Sequence, residues 1–344
     1  MSNVFCTGGI GFVGTNVVDH LLEKGHHVVA FDNFYRDKVE NNLNWLDKKW
    51  GRNPLFEFIK GDILDSVDLN RVVSEKEIDF IVHLAGQTPM TTSLTNPRED
   101  FEINALGTFN ICESARKHNC GILFFSTNKV YGDGANTIKL KELEKRYAFD
   151  DPKFKDGIPE SFSIDWDEHS PYGCSKTSGD LYVRDYGKVY GLNTGVFRCS
   201  ALFGLHQWSM IGQGWIAWFI RQAVLKEPVT IFGDGKQVRD CLFGTDVTEL
   251  VGKVVDNPKK LGCEAFNVGG GKDNSLSILE LIDLIEKNGY KVNYDFGEWR
   301  QADQKVYISD IKKVSERFNW KPKVSPEEGV KKLLQWTEEN KSLF

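Results

Sequence analysis

Several features of membrane, secreted and metal-binding proteins are missing from this 344-residue sequence. No apolar run is long enough to span a bilayer, so we expect no transmembrane helix. The seven cysteines are scattered without a Cys-x-x-Cys pair, which indicates reduced thiols, and we expect neither a disulfide framework nor a metal site. Because residues 1–6 already enter an apparent strand, we expect no signal peptide and a cytoplasmic location.

The sequence also has no excess of positive charge, no internal repeat and no low-complexity tail. Its formal net charge of −6 argues against a general affinity for nucleic acid, so an anionic ligand has to be held by local cations. With 40% hydrophobic and 27% charged residues, the composition is that of a globular protein. The length allows one large domain or two interleaved ones.

A glycine-rich turn follows the first predicted strand, at residues 3–6. The glycines are Gly8, Gly11 and Gly14, and after an amphipathic stretch a second strand ends in Asp32. This order is typical of a dinucleotide site, in which the glycines let a pyrophosphate approach a helix N-terminus. Asp32 can accept a hydrogen bond from a ribose 2′-hydroxyl, which favours NAD over NADP, although Arg36 lies nearby in the sequence.

The alternation of strands and helices continues through the first half of the chain. Further strands are predicted at 56–60, 78–84 and 121–126, with a long helix at about 99–118. This pattern predicts the α/β class, with a doubly wound, mainly parallel Rossmann sheet and a ligand at the carboxyl ends of its strands. A smaller, mostly C-terminal domain is expected to bind the substrate.

Tyr172 and Lys176 are four residues apart in a segment predicted to be helical. That spacing places both side chains on one helix face, where the lysine ammonium favours the phenolate form of the tyrosine. Such a phenol can take a proton from a sugar hydroxyl as hydride leaves the same carbon. Taken alone, the pair is weak evidence and favours an ordinary helix, because tyrosine and lysine occur four residues apart by chance in many helices.

Longer stretches resemble the extended short-chain dehydrogenase/reductase family of nucleotide-sugar enzymes, and the similarity runs essentially end to end. They are residues 7–14, 83–87, 90–93, 100–104, 126–132, 169–176, 213–215 and 233–240. The resemblance implies that Tyr172 is the catalytic acid/base and that Lys176 is its partner, which also bonds the nicotinamide ribose. It further implies that Thr127 bonds the reacting hydroxyl or carbonyl.

The glycine turn and the resemblance together imply two sets of binding residues. NAD is expected to contact Tyr172, Lys176 and the following residues: Gly8, Gly11, Phe12, Val13, Gly14, Asp32, Asn33, Asp62, Ile63, Leu84, Ala85, Gly86 and Asn104. The substrate, a CDP-sugar, is expected to contact Gln87, Thr127, Asn128, Lys129, Arg239, Arg300 and Asp303. The two arginines would bind the diphosphate, which suits their planar donors. Ala201 stands where many relatives have a phosphate-binding asparagine, so the substrate must be held differently there.

The two residues after Thr127 restrict which reactions the site is expected to catalyse. Related 4,6-dehydratases carry Asp-Glu at these two positions, because eliminating water takes an acid and a base. This chain has Asn128 and Lys129 instead, so elimination is disfavoured. The remaining possibility is hydride transfer that is not followed by elimination.

Two outcomes of hydride transfer fit the sequence: epimerisation, in which hydride returns to the opposite face of the sugar carbon, and net oxidation or reduction of the sugar. The resemblance implies an epimerase that inverts C2 of a CDP-hexose, such as CDP-paratose or CDP-glucose, for lipopolysaccharide or surface-polysaccharide biosynthesis. A nucleotide-sugar 4-epimerase, or a net NAD(P)-dependent reductase or dehydrogenase, would use the same Thr127, Tyr172 and Lys176. A protein that only binds NAD is a further alternative, but it would not need these three residues.

The predicted domains are interleaved. Residues 1–177 with about 242–269 are expected to bind NAD, and about 178–241 with 270–344 to bind the sugar nucleotide. Residues 134–168 are long for a connection and suggest a lid or added surface. The resemblance implies a homodimer or homotetramer assembled through helices near 99–118 and 171–190, with no nucleic-acid or membrane partner.

Overall fold

The computed structural model describes residues 1–300 and 303–344. Its β-strands are β1 (Asn3–Thr7), β2 (His27–Asp32), β3 (Phe56–Lys60), β4 (Phe80–His83), β5 (Gly121–Thr127), β6 (Leu140–Glu142), β7 (Tyr147–Phe149), β8 (Thr194–Cys199), β9 (Ala201–Phe203), β10 (Val229–Phe232), β11 (Val238–Phe243), β12 (Glu264–Val268), β13 (Ser275–Ser277), β14 (Tyr294–Gly297) and β15 (Val306–Tyr307). Its α-helices are α1 (Phe12–Glu23), α2 (Val39–Trp50), α3 (Ser66–Glu75), α4 (Met90–Thr95), α5 (Pro97–Phe101), α6 (Gly107–His118), α7 (Ser170–Tyr190), α8 (Trp215–Leu225), α9 (Gly244–Asp256), α10 (Ile278–Lys287), α11 (Lys312–Phe318) and α12 (Pro326–Glu339). Within the described ranges, no helix is both long enough and apolar enough to cross a membrane.

The chain divides into two compact units. The first contains residues 1–130, 171–198 and 247–266, and the second contains residues 131–170, 199–246 and 267–344. Two boundaries differ from the prediction, because 131–170 belongs to the second unit and 178–198 to the first. Residues 178–198 lie in the first unit because α7 is one unbroken helix and β8 after it joins the large sheet. Residues 131–170 lie in the second unit, where Tyr147 packs with Val238 and Val306.

The first unit is built on a seven-stranded parallel sheet with the order β12-β8-β5-β4-β1-β2-β3. β1 is central because its apolar side chains are buried on both faces. Thr7 pairs with Phe31 of β2 and with His83 of β4, so the carboxyl ends of these strands lie at one edge. The predicted doubly wound α/β fold is confirmed.

Helix α7 packs on this sheet through a regular stripe of buried residues. Its buried positions include Tyr172, Lys176, Gly179 and Val183, which recur at the three- and four-residue spacing of one helix face. Val183 belongs to the same buried cluster as Phe124 of β5. Burial of that stripe therefore fixes the rotation of α7 and with it the face that carries Tyr172 and Lys176.

The helix predicted at 99–118 is interrupted. It consists of α5, a π-helical turn at Glu102–Leu106, and α6. A π turn accommodates one extra residue and re-aims the side chains within it. Here it contains Asn104, whose side-chain amide donates to the Gln87 carbonyl and whose oxygen accepts from the Gln87 N–H.

The second unit has β11 at its centre. This strand pairs in parallel with β9 and β15 and antiparallel with β13. Helices α8, α10 and α12 pack around it in one apolar cluster. Trp215 and Trp218 lie against that cluster, as the core-packing interpretation of these residues requires.

The long segment before α7 is a fixed part of the second unit. It forms the hairpin β6–β7, in which Tyr147 packs with Val238 and Val306. Lys145 pairs with Asp283 at 2.7 Å, and neighbouring Arg146 pairs with Glu280 at 3.3 Å. This anchoring favours added surface over a lid.

Candidate active site

The glycine turn between β1 and α1 leaves room for a ligand because side chains are excluded from it. Gly8 has a φ of +66°, and a Cβ there would lie 2.7 Å from the Ala85 backbone nitrogen. A Cβ on Gly14 would lie 2.0 Å from the Gly8 carbonyl oxygen. Gly11 precedes α1 without a capping side chain, and the first turn of α1, which contains Phe12 and Val13, has no acidic residue. The helix N-terminus is thus prepared for an anion.

Asp32 ends β2 at the same edge of the sheet. Its carboxylate accepts a hydrogen bond of 2.9 Å from the Phe34 N–H. Burial raises the pKa of Asp32, while backbone donors and the charge of Arg36 lower it. Arg36 itself donates to the Thr88 hydroxyl at 2.5 Å. A carboxylate at this position suits a ribose hydroxyl and repels a 2′-phosphate.

The remaining residues predicted to bind NAD form two groups on the first unit. Asn33 donates to the Asp62 carboxylate at 2.9 Å, and Ile63 is buried beside it. Leu84, Ala85 and Gly86 follow β4, where the Leu84 N–H donates to the Thr7 carbonyl at 3.1 Å. A Cβ on Gly86 would lie 2.9 Å from Asn104 Oδ1 and 3.7 Å from Lys176 Nζ. The structure therefore brings Gly86, Asn104 and Lys176 together.

Tyr172 and Lys176 lie in the first two turns of α7, and both side chains are buried. The Lys176 ammonium lies 4.2 Å from the centre of the Phe124 ring. The Tyr172 N–H donates to the Ser93 hydroxyl at 3.2 Å, which ties the start of α7 to α4. A buried cation one turn from a phenol is the arrangement that the spacing predicted.

Thr127 is the last residue of β5, and Asn128 and Lys129 follow it directly. Thr127 and Asn128 are buried, and their side-chain oxygens are 3.4 Å apart. The Lys129 N–H lies 3.2 Å from the Thr127 hydroxyl oxygen. Thr127 is thus held at the edge where the strands of the first unit end.

The Gln87 side chain is almost fully buried, and its hydrogen-bonding groups are only partly paired. Its amide nitrogen donates to the Pro89 carbonyl at 2.8 Å. Its side-chain oxygen has no hydrogen-bond partner within residues 1–300 and 303–344. A buried acceptor without a partner is costly unless a ligand or water satisfies it.

The second unit brings the other three predicted substrate residues together. Arg239 donates to the Asp303 carboxylate at 2.7 Å. The Arg300 guanidinium lies 4.0 Å from the centre of the Phe232 ring. Burial lowers the pKa of Arg300, and the charge of Asp303 raises it. Two arginines and one carboxylate leave a net positive cluster, as an anionic ligand needs.

Asp100 and His83 belong to buried polar networks, and neither residue was assigned a role from the sequence. Asp100 accepts from the Ser175 hydroxyl at 2.5 Å and from the Asn104 amide at 3.1 Å. His83 lies between the hydroxyls of Thr7 and Thr108, at 2.7 and 3.0 Å. The sequence signal for Asp100 is its spacing of four residues from Asn104, which places both on one helical face.

These residues fit NAD. The close approach of Gly8, Gly14 and Ala85 keeps side chains out of the turn at the α1 N-terminus, where a pyrophosphate would bind, and Asp32 supplies an acceptor for a ribose. Within the described ranges there is no cluster of three or more acidic, histidine or cysteine side chains suited to a metal ion.

The family of the chain follows from its sequence match. A family model described as the NAD dependent epimerase/dehydratase family matches residues 4–269. The chain belongs to this family. The NAD-dependent epimerase/dehydratase family is one of enzymes, so the predictions of an enzyme and of NAD as its cofactor are confirmed.

Individual members of the NAD-dependent epimerase/dehydratase family cover the chain almost completely. It is 42% identical to CDP-paratose 2-epimerase of Salmonella typhi, over 96% of this chain and 98% of that one. It is 31% identical to a putative UDP-glucose 4-epimerase of Methanocaldococcus jannaschii, over 98% and 99% of the two chains. The structure of UDP-glucuronic acid 4-epimerase from Bacillus cereus, in complex with UDP-glucuronic acid and NAD, is 25% identical, with a TM-score of 0.82 and coverage of 98% and 99%.

Proposed function

We propose that this protein inverts the configuration at C2 of a CDP-hexose, with CDP-paratose as the first candidate and CDP-glucose as the second. The observation that carries the proposal is the 42% identity, over nearly the whole chain, to a CDP-paratose 2-epimerase. The buried Thr127, Tyr172 and Lys176 of the first unit supply the groups that such a reaction needs.

NAD, when bound, supplies the hydride acceptor and the hydride donor for the sugar carbon. Tyr172 takes the proton of the reacting hydroxyl and later returns it. The buried Lys176 ammonium favours the phenolate form of Tyr172 in the first half of this cycle. The Thr127 hydroxyl bonds the reacting oxygen and orients it toward the phenol. Between the two halves the ketone turns over, so that inversion needs no second substrate.

Asn128 and Lys129 support an epimerase over a dehydratase. Elimination of water takes one group that removes a proton and one that donates a proton. Asn128 cannot donate as an acid, and it is buried beside Thr127. Both residues are instead proposed to contact the sugar.

The nucleotide part of the substrate is assigned to the second unit. Arg239 and Arg300 are proposed to bind the diphosphate, and Asp303 the nucleotide ribose. The ion pair between Arg239 and Asp303 holds both side chains in one cluster before a ligand binds. On the first unit, the Gln87 side-chain oxygen is proposed to accept from a sugar hydroxyl.

A homodimer is proposed through the helices of the first unit. Large apolar side chains stand exposed on α5, the π turn and α7: Phe101, Leu106, Leu181, Tyr182, Val189 and Tyr190. Such side chains on neighbouring helices form an apolar surface that association would bury. A cytoplasmic location and a role in surface-polysaccharide synthesis are proposed from the substrate class.

The second candidate is a nucleotide-sugar 4-epimerase, supported by the 31% identity to a putative UDP-glucose 4-epimerase. The two are separated by incubating the protein with CDP-paratose, CDP-glucose and UDP-glucose without added cofactor and following proton NMR at C2 and C4. We expect inversion at C2 of a CDP-hexose. Inversion at C4, or turnover that requires added NAD(H), would contradict the proposal.

A further inference from the structure

Asp100 is a buried carboxylate that is hydrogen-bonded to α7, the helix that carries Tyr172 and Lys176. It lies on α5 and is 1% exposed. One of its oxygens accepts from the Ser175 hydroxyl at 2.5 Å and the other from the Asn104 amide at 3.1 Å. Burying a carboxylate is unfavourable, so its position calls for a compensating interaction.

The Asp100 network reaches both members of the proposed relay. Ser175 lies between Tyr172 and Lys176 on α7, and its hydroxyl is also 3.0 Å from the Tyr172 carbonyl oxygen. Asn104 lies beside Gly86, where an added Cβ would approach Asn104 Oδ1 at 2.9 Å and Lys176 Nζ at 3.7 Å. Asp100 thus bonds to the turn that carries the phenol and to the residue that adjoins the ammonium.

Several titratable groups act on this network. Burial raises the pKa of Asp100, while the Ser175 hydroxyl, the Lys176 charge and the Asn104 amide lower it. His83, which faces Lys176 from β4, is uncharged because burial lowers its pKa to about 3, with the Lys176 charge acting in the same direction. Arg36 interacts electrostatically with Tyr172. Asp100 therefore interacts with Lys176, and Arg36 is a second cation that interacts with Tyr172.

We propose that Asp100 is a positioning residue of the relay, whose ionised carboxylate holds Ser175 and Asn104 in place and limits how strongly Lys176 favours the Tyr172 phenolate. The inference rests on the relay assigned to Tyr172 and Lys176 in the proposed function. The chemical reason is that Tyr172 must both take up and return a proton in the two halves of the reaction. A phenol that gives up its proton too readily cannot return it to the sugar, so a nearby negative charge balances the relay.

The test is Asp100→Asn, which removes the charge and keeps the shape. The new amide can donate to the Ser175 oxygen and accept from Asn104, so the hydrogen bonds persist. Ionisation of Tyr172 is followed by tyrosinate absorbance against pH, as the difference from the same protein carrying Tyr172→Phe, both with NAD bound. We expect the midpoint to fall by about half a pH unit to one pH unit, since a negative charge near the phenol has been removed.

Ser175→Ala is the matched variant, because it removes the hydrogen bond and keeps the charge. We expect the midpoint of the Tyr172 titration in this variant to equal that in the unaltered protein. An unchanged or raised midpoint in Asp100→Asn would overturn the inference, as would an equal fall in both variants. If Asp100→Asn does not fold, Asp100→Ser gives the same comparison with a smaller polar side chain.

The titration needs no sugar, so the test stands even if the proposed CDP-hexose substrate is wrong. A difference curve without any transition below about pH 10, the ordinary range of a phenol, would overturn the relay itself and this inference with it. If the CDP-hexose is turned over, the acidic limb of kcat against pH is expected to move to lower pH in Asp100→Asn. A merely structural role would lower kcat without moving that limb.

Discussion

Gly14 lies so close to Gly8 that a Cβ on Gly14 would stand 2.0 Å from the Gly8 carbonyl oxygen. Gly14→Ala is therefore expected to push α1 away from the turn and to weaken NAD binding by at least about tenfold, roughly 1.4 kcal/mol. The NAD content of the purified protein and titration with NAD measure this. Gly25→Ala, at the other end of α1, is the control, since it has a φ of +81° but open space for a Cβ. It should lose about 1 kcal/mol of stability and still bind NAD. Equal NAD binding by the two variants would contradict the assigned cofactor site.

Tyr172→Phe removes the proposed acid/base without removing the ring. We expect kcat to fall by about 100-fold or more, the usual scale for a lost general acid/base, with NAD still bound. Tyr294→Phe is the control, because Tyr294 lies exposed on β14 of the second unit. Steady-state kinetics with the CDP-hexose and the NAD content of each variant provide the comparison. Activity retained in Tyr172→Phe would refute its role.

The buried His83 is expected to make the folded protein less stable in acid. It is fully buried between Thr7 and Thr108, and burial lowers its pKa to about 3 from 6.5, helped by the Lys176 charge. Its folded form resists protonation, so its share of stability is complete above about pH 6.5 and is lost as the pH falls toward 3. One such proton costs about 1.4 kcal/mol for each pH unit, or about 2 kcal/mol at pH 5.

His83→Gln should remove that acid-dependent loss, because an amide can bond both hydroxyls and does not take up a proton. Urea unfolding at pH 7.5 and pH 5 measures it, with His27→Gln, an exposed position at the start of β2, as the control. The free energy of unfolding of His83→Gln should change less between the two pH values than that of the unaltered protein. The same change in all three proteins would show that His83 does not control acid stability.

Leu181 tests the proposed homodimer. Its side chain is exposed on α7 and belongs to the apolar surface proposed for association. Leu181→Asp places a charge there and is expected to convert the dimer to a monomer, since an unpaired charge in an apolar interface is costly. Light scattering after gel filtration gives the mass. Val67→Asp, at an exposed position on α3, should leave the mass unchanged. A monomer before any substitution would contradict the proposed dimer.

The sheet and the cofactor turn could be predicted from the sequence because their signals are local. The apolar strand before Gly8, the glycine spacing and Asp32 at the end of the next strand each report on neighbouring residues. Strand β3 was predicted with its observed bounds, at 56–60. Family membership confirms what these patterns indicated for the fold and for NAD.

The parts that were missed depend on contacts between residues far apart in sequence. The π turn at Glu102–Leu106 is linked to the double hydrogen bond between Asn104 and Gln87, which no helical periodicity reveals. The placement of 131–170 in the second unit follows from Tyr147 packing with Val238 and Val306. In the sequence, Asp100 is one charged residue within the stretch 100–104, and only the packing of α7 brings Ser175 to it.

The fate of one hydrogen atom tests the central claim most directly. CDP-paratose carrying deuterium at C2 is incubated with the protein in ordinary water without added cofactor, and the product is examined by NMR and mass spectrometry. If NAD in the site takes the hydride and returns it to the opposite face, the inverted product keeps its deuterium at C2. Replacement of that deuterium by hydrogen from water would mean proton abstraction at C2, and it would contradict the hydride relay through Tyr172 and Lys176.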